Sequence, residues 1–229
     1  MALERKQKAR ALHAGVLLLC ALPAGQLAFA AAQAFSPTPP VPPPLGANPV
    51  EFLEHSTGLL ALRFLALCLA VTPLQRLGWK RLGRYRIALA PYRNALVPYR
   101  RSFGLVAFGY ASIHLAIFVG LDLGFDWKAV GEDLAERPYI LVGFAAFVIL
   151  AALAATSTRR AMRRLGRRWK RLHRGLYLAA GLAVVHFAWV QKADFREPAL
   201  YAGIIGVLLL ARVVPALASR RRAGDSSRP

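Results

Sequence analysis

The sequence predicts an all-α, polytopic integral membrane protein built as a bundle of six transmembrane helices. Three observations carry that expectation. The 229 residues are 56% hydrophobic with a mean hydropathy of +0.40, yet the formal charge is +20. A membrane protein with basic loops combines these values naturally, and a soluble domain does not. Six apolar stretches approach or reach the roughly 20 residues that cross about 30 Å of hydrocarbon. The charges between those stretches alternate in kind.

Taken in order, residues 1–11 are a basic N-terminus containing Arg5, Lys6, Lys8 and Arg10. Leu12–Ala32 reads as the first span. Basic residues, a leucine run and Ala30-Ala31-Ala32 also imitate a secretory signal peptide with a small-residue cleavage site, and cleavage would leave five spans. The stretch is longer than the usual signal core of about 7–15 residues, which favours a retained helix. Residues 33–54 form an outer connection whose Pro-rich run Ser36–Pro44 cannot be helical. His55–Leu74, Ser102–Leu121, Tyr139–Ala155, Leu172–Val190 and Ala199–Val214 are the second to sixth spans, together a domain over 55–215. Residues 216–229 are a basic tail.

Gln75–Arg101 holds eight basic residues and no acid, and so does Thr156–Arg171; the tail adds Arg220, Arg221, Arg222 and Arg228. The other connections carry nine of the eleven acids, among them Glu51, Glu54, Asp122, Asp126, Glu132, Asp133 and Glu136, with four basic residues. The positive-inside rule therefore puts both termini and both Arg-rich loops in the cytoplasm. A pI near 11.3 alone would admit a nucleic-acid partner. The basic residues fall in alternate loops instead of on one face, so no nucleic acid is expected. The lipid bilayer is the expected partner, with anionic headgroups against the Arg-rich loops.

Cys20 and Cys68 fall inside spans, and there is no C-x-x-C-H, so neither a disulfide framework nor covalent haem attachment is expected. No Walker A motif and no strand–G-x-G-x-x-G–helix unit is present, so the chain has no recognisable nicotinamide domain.

Ionisable residues at membrane depth are costly and usually face a cofactor, a pathway or a partner. His114 lies about 18 Å along the third span and His186 about 21 Å along the fifth, both counted from the cytoplasmic side at 1.5 Å per residue. Two imidazoles at matched depth on different helices can ligate one iron from opposite faces, the pattern of a transmembrane b-type cytochrome. His173 stands at the cytoplasmic mouth of the fifth span. Thirteen residues from His186 turn it about 140° away on the helix. The third-span residues at its depth are Arg100 and Arg101, not histidine. A second haem with a non-histidine sixth ligand and interfacial anchoring both remain open for it. Arg63, about eight residues inside the second span, needs a partner: a haem propionate, a flavin phosphate, or main-chain carbonyls. His55 reads as interfacial, and His13 carries no functional signal.

Gly104–Ile117 with A-S-I-H-L-A, Leu153–Thr158, Leu165–Leu178 followed by H-F-A-W (His186–Trp189), Asn48–Gly58 and Thr72–Leu74 together resemble the MsrQ family, formerly YedZ. This family sits within the ferric-reductase-like transmembrane superfamily. The resemblance spans about Asn48 to Pro215 and omits the N-terminal stretch and the tail. It implies an electron-transfer subunit, not itself catalytic, in a bacterial inner membrane. It also implies haem b and FMN as cofactors, the quinone pool as electron source, and a periplasmic molybdenum-containing reductase, MsrP, as acceptor. His114, His173 and His186 match the family's intramembrane histidines. On the residues alone, a stand-alone ferric-reductase or oxidase-like cytochrome and a non-redox transport or assembly protein remain alternatives.

Overall fold

The computed structural model describes residues 2–38, 40–81, 97–191 and 194–225. Among them are nine α-helices and no strand. They are α1 (Ala2–Ala34), α2 (Pro49–Arg81), α3 (Val97–Ile117, continued by a π-helical turn Phe118–Asp122), α4 (Trp127–Glu136), α5 (Pro138–Ala155), α6 (Arg159–Leu165), α7 (Arg167–Leu172), α8 (Gly175–Val190) and α9 (Arg196–Asp225). The all-α expectation holds, and α1, α2, α3, α5, α8 and α9 coincide in order with the six apolar stretches.

Four described helices are long and apolar enough to cross a membrane: Ala11–Ala34, Pro49–Gln75, Pro98–Asp122 and Pro138–Ala155. The 16 residues of α8 fall just short of the roughly 17–25 a span uses. The side chains of α9 are described only to Arg212. Most of the basic segment Gln75–Arg101 and the last four residues of the tail lie outside the described residues.

Local chemistry moves some boundaries. The second helix begins at Pro49, ahead of its apolar stretch. Asn48 caps it by accepting from the Glu51 N–H at 3.2 Å and donating to the Glu51 carboxylate at 3.0 Å, and Pro49 is pre-set for the first helical position. Glu51 and Glu54, expected in the outer connection, are therefore helical, and His55 lies inside the helix instead of at its start. In the outer connection after α3, Asp126 accepts from the N–H groups of Lys128 and Ala129. That cap starts α4, a helix not anticipated within an acidic connection. The fifth long helix begins at Gly175, so His173 caps α7 and lies outside the span.

Helix α2 is central. Its Leu65 and Leu69 are almost fully buried against Ala107 and Tyr110 of α3, Leu150 and Leu153 of α5, Leu176, Ala179 and Ala180 of α8, and Ile205 of α9. Alanines at the contacts let helix backbones approach, as packing inside lipid requires. Leu18, Leu141, Val148, Leu178, Val207 and Leu210 point outward and exposed, the arrangement of a bundle bathed in hydrocarbon.

Helix α1 packs more loosely, and a polar clasp midway along it ties it to α3. Pro23 interrupts its hydrogen-bond ladder. The Tyr110 hydroxyl bridges the gap, donating to the Cys20 carbonyl at 2.8 Å and accepting from the Ala24 N–H at 3.1 Å. A straight helix would join those two groups directly.

Ala179 is fully buried, whereas its neighbour Leu178 is 59% exposed. Ala179→Leu is expected to lower stability by about 1–3 kcal/mol through overpacking, and Leu178→Ala to leave it near wild type. Denaturant titration in detergent micelles checks both.

Candidate functional site: a histidine pair at one end of the bundle

Helix α3 carries His114 and helix α8 carries His186, 72 residues apart in sequence. The fold brings their rings to a centroid separation of 6.2 Å with planes at 75°. Each ring is tied by Nδ1 to a main-chain carbonyl of a neighbouring helix. His114 bonds the Glu54 oxygen of α2 at 2.9 Å, and His186 bonds the Tyr139 oxygen of α5 at 2.7 Å. A carbonyl only accepts, so both rings carry their proton on Nδ1, and Nε2 is left as the lone-pair nitrogen. This is how metal-bound histidines are oriented: an outer hydrogen bond sets the tautomer and raises the basicity of the other nitrogen. Both carbonyls belong to the opening turns of α2 and α5, so the pair sits near the end of the bundle where those helices begin.

Two glycines complete the setting. His114 lies against Gly58 and His186 against Gly143, each so close that a side chain would meet the ring. Neither glycine was singled out from sequence. Their one available signal is that each lies four residues beyond the residue whose carbonyl accepts from a histidine, and those contacts are invisible before folding.

His173 does not meet another histidine. Its Nε2 lies 3.2 Å from Thr156 Oγ1, its ring stacks on Trp169 at 3.9 Å, and Trp169 Nε1 donates to the Thr156 carbonyl. The Thr156 hydroxyl donates to the Ala152 carbonyl at 2.8 Å, so it accepts from His173. That is the opposite tautomer from the pair, with Nδ1 as the lone-pair nitrogen. Burial, and then the Arg100 guanidinium, hold the His173 imidazole below its ordinary pKa. Arg100 is thus its electrostatic neighbour, as the depth count anticipates.

Arg63 meets no carboxylate among its described contacts. Its Nε donates to the Tyr201 hydroxyl of α9 at 2.8 Å. Its side chain lines a groove of about 530 Å³ between α1 and α2, with Gln26, Ser56 and Leu60 among the walls. His55 pairs with Glu197 at 3.3 Å, and His13 with Ser102 at 3.0 Å. Arg212, a second arginine inside an apolar stretch, is one that sequence reasoning missed. It donates to the Leu69 carbonyl at 2.6 Å and to the Tyr177 hydroxyl at 2.9 Å.

Known proteins resemble this one over the same region. The ferric reductase like transmembrane component family matches residues 57–184. The protein-methionine-sulfoxide reductase heme-binding subunit MsrQ of Xanthomonas euvesicatoria pv. vesicatoria is 50% identical over 186 residues, 81% of this chain and 79% of that protein. The subunit of the same name in Xanthomonas oryzae pv. oryzae is 48% identical over the same shares. That of Rhodospirillum rubrum is 46% identical over 182 residues, 79% of this chain and 80% of its own.

In the metal-free protein, nitrogen-15 NMR of labelled histidine is expected to find His114 and His186 as the Nδ1–H tautomer and His173 as Nε2–H. An Nε2–H signal at either member of the pair would contradict the two carbonyl bonds.

Proposed function

Because the chain belongs to the MsrQ family, within the ferric reductase like transmembrane group, we propose that it is a haem b-binding electron-transfer subunit of a methionine sulfoxide repair system. In this reading electrons enter from the quinone pool, cross a bacterial inner membrane, and leave to a periplasmic molybdenum-containing reductase, MsrP.

The observation that carries the reading is the histidine pair. Imidazole nitrogen binds a metal ion at about 2.0–2.1 Å, and with the ring centre about 1 Å further back, two axial rings on one ion have centres roughly 6 Å apart. The observed 6.2 Å fits that requirement, as does the freeing of Nε2 on both rings. His114 and His186 would be the axial ligands, and the Glu54 and Tyr139 carbonyls would hold their orientation. Haem, when bound, supplies reversible one-electron carriage in a low-dielectric bundle. The chain supplies ligands, orientation and exclusion of water.

The other residues take roles around this centre. Arg63, held through Nε by Tyr201, enters as the cation for an acidic group of a cofactor. His173, flanked by Arg100, would hold a second, inner haem with no other histidine to share it. FMN, implied by the family, needs cations for its phosphate. The Arg-rich segment Arg159–Arg171 offers them, with Arg160 and Arg164 flanking an open cavity of about 410 Å³. Both termini would be cytoplasmic and the acidic connection that contains α4 periplasmic.

His114→Ala or His186→Ala should each abolish the low-spin bis-histidine signal of the dithionite-reduced protein, because each removes an axial bond to the same iron. His173→Ala should lower the haem-to-protein ratio and spare that signal. A wild-type ratio of one haem would remove the inner centre. A protein without a Soret band would remove the haem reading altogether.

The exit side is tested on α4. Asp126 is its cap, and Asp133 is ion-paired to Arg137 at 3.1 Å, so reversing either would disturb the helix. Glu132 and Glu136 are exposed, and the Glu132 pair with Lys128, at 3.7 Å on the open surface, is a weak one. Reversal of both to lysine should slow reoxidation of reduced haem by MsrP and change its salt dependence through weakened steering. Reversal at Arg160 and Arg164 should lower FMN content and leave that step alone. The opposite pattern would move the exit to the cytoplasm.

A further inference from the structure

The device that holds each histidine of the pair occurs twice. His114 donates to the carbonyl of Glu54 and lies against Gly58; His186 donates to the carbonyl of Tyr139 and lies against Gly143. In both cases the glycine stands four residues after the accepting carbonyl. It is the residue whose own N–H is the helical partner of that oxygen. A carbonyl has a second lone pair, so a side chain can share it. A helical side chain, however, leans toward the N-terminus and covers the turn before its own Cα. Any side chain at the fourth residue would therefore lie over the oxygen that the imidazole must reach.

The crowding is measurable. A Cβ at position 143 would stand 2.7 Å from His186 Nδ1, 2.8 Å from Cε1 and 3.0 Å from Cγ. At position 58 the distances to His114 Nδ1, Cε1 and Cγ would be 3.3, 3.3 and 3.8 Å. A methyl at 143 thus overlaps the ring on three atoms, and the ring cannot withdraw without stretching its 2.7 Å hydrogen bond. A methyl at 58 asks for a few tenths of an ångström. Gly109 on α3 and Gly181 on α8 share helices with the two histidines and have nothing within 4 Å of a built Cβ.

We propose that Gly58 and Gly143 are positioning residues for the histidine pair: by leaving the helix surface bare over the Glu54 and Tyr139 carbonyls, they set the tautomer and orientation of the two imidazoles. This rests on the reading of His114 and His186 as haem ligands. The tighter contact makes the His186 side the more exacting of the two.

The test uses the full-length protein in detergent, carrying haem, in four variants: Gly143→Ala, Gly58→Ala, Gly109→Ala and Gly181→Ala. Haem affinity, the low-spin electron paramagnetic resonance g-values and the midpoint potential are read for each. Gly143→Ala should weaken haem retention by roughly 10–100-fold, the range for loss of an outer partner of a metal-bound histidine. Gly58→Ala should keep its haem with shifted g-values and potential, and the two controls should match wild type. A second arm guards against misfolding. In His186→Gly with added imidazole, the low-spin signal should return, and it should return equally when Gly143→Ala is also present, because the ring that the methyl would strike is no longer tethered. If Gly143→Ala keeps wild-type affinity, g-values and potential, or if imidazole restores the single variant but not the double, the positioning role is overturned. In either case the haem reading survives as long as His186→Ala loses the signal. If neither histidine variant changes the spectrum, the haem reading itself falls.

Discussion

The histidine pair at one end of this bundle depends on the second lone pair of a helical carbonyl. Inside a bilayer each backbone group must be satisfied without water, and the α-helix does this with one bond per oxygen. That leaves capacity for one more donor where the helix surface is open. His114 and His186 use that capacity at Glu54 and Tyr139. Both carbonyls stay within continuous helix, and the bond converts a ring that could flip between tautomers into one with a defined lone-pair nitrogen.

The same economy runs through the rest of the interior. Tyr110 closes the break at Pro23 through a carbonyl and an N–H of α1. Arg212 spends one nitrogen on the Leu69 carbonyl and another on the Tyr177 hydroxyl. Thr57, Thr156 and Ser157 turn back onto carbonyls three or four residues earlier. Even Arg63, for which an acidic partner would be the simplest expectation, is held by the phenol of Tyr201. No acid stands between Glu54 and Asp122 or between Glu136 and Asp194 in the sequence, so neutral oxygens carry within the bundle the polar contacts that carboxylates would carry in a soluble protein.

This explains which parts were legible before folding. The six apolar stretches were readable because bilayer thickness and helix rise are fixed quantities. The matched depth of His114 and His186 followed from the same two numbers. Helix ends were less legible: α2 starts early because of one local N-x-x-E contact at Asn48, and α4 exists because Asp126 caps it within a stretch whose acids suggested only a loop. Gly58 and Gly143 were not legible at all. Their meaning lies in contacts across 56 and 43 residues of chain to His114 and His186, and glycine in an apolar span otherwise reads as a packing residue.

The four helices that build the pair fall into two matching units. In one, α2 offers a carbonyl and a glycine and α3 the histidine; in the other, α5 offers the carbonyl and glycine and α8 the histidine. Each histidine is therefore fixed within its own unit, by a bond and a contact that do not involve the other. The separation of the two rings is set elsewhere, by how the units meet. Phe108 of α3 stacks on Phe147 of α5 at 5.6 Å, and Leu65 and Leu69 of α2 share a core with Ala179 and Ala180 of α8. Close-packed interfaces of this kind transmit displacement because they contain little empty volume to absorb it. A change in that packing shifts one imidazole against the other while leaving both tautomers unchanged. Ring tautomer and ring spacing are thus controlled by different residues, the first by Glu54, Gly58, Tyr139 and Gly143, the second by apolar side chains that touch neither ring's hydrogen bond.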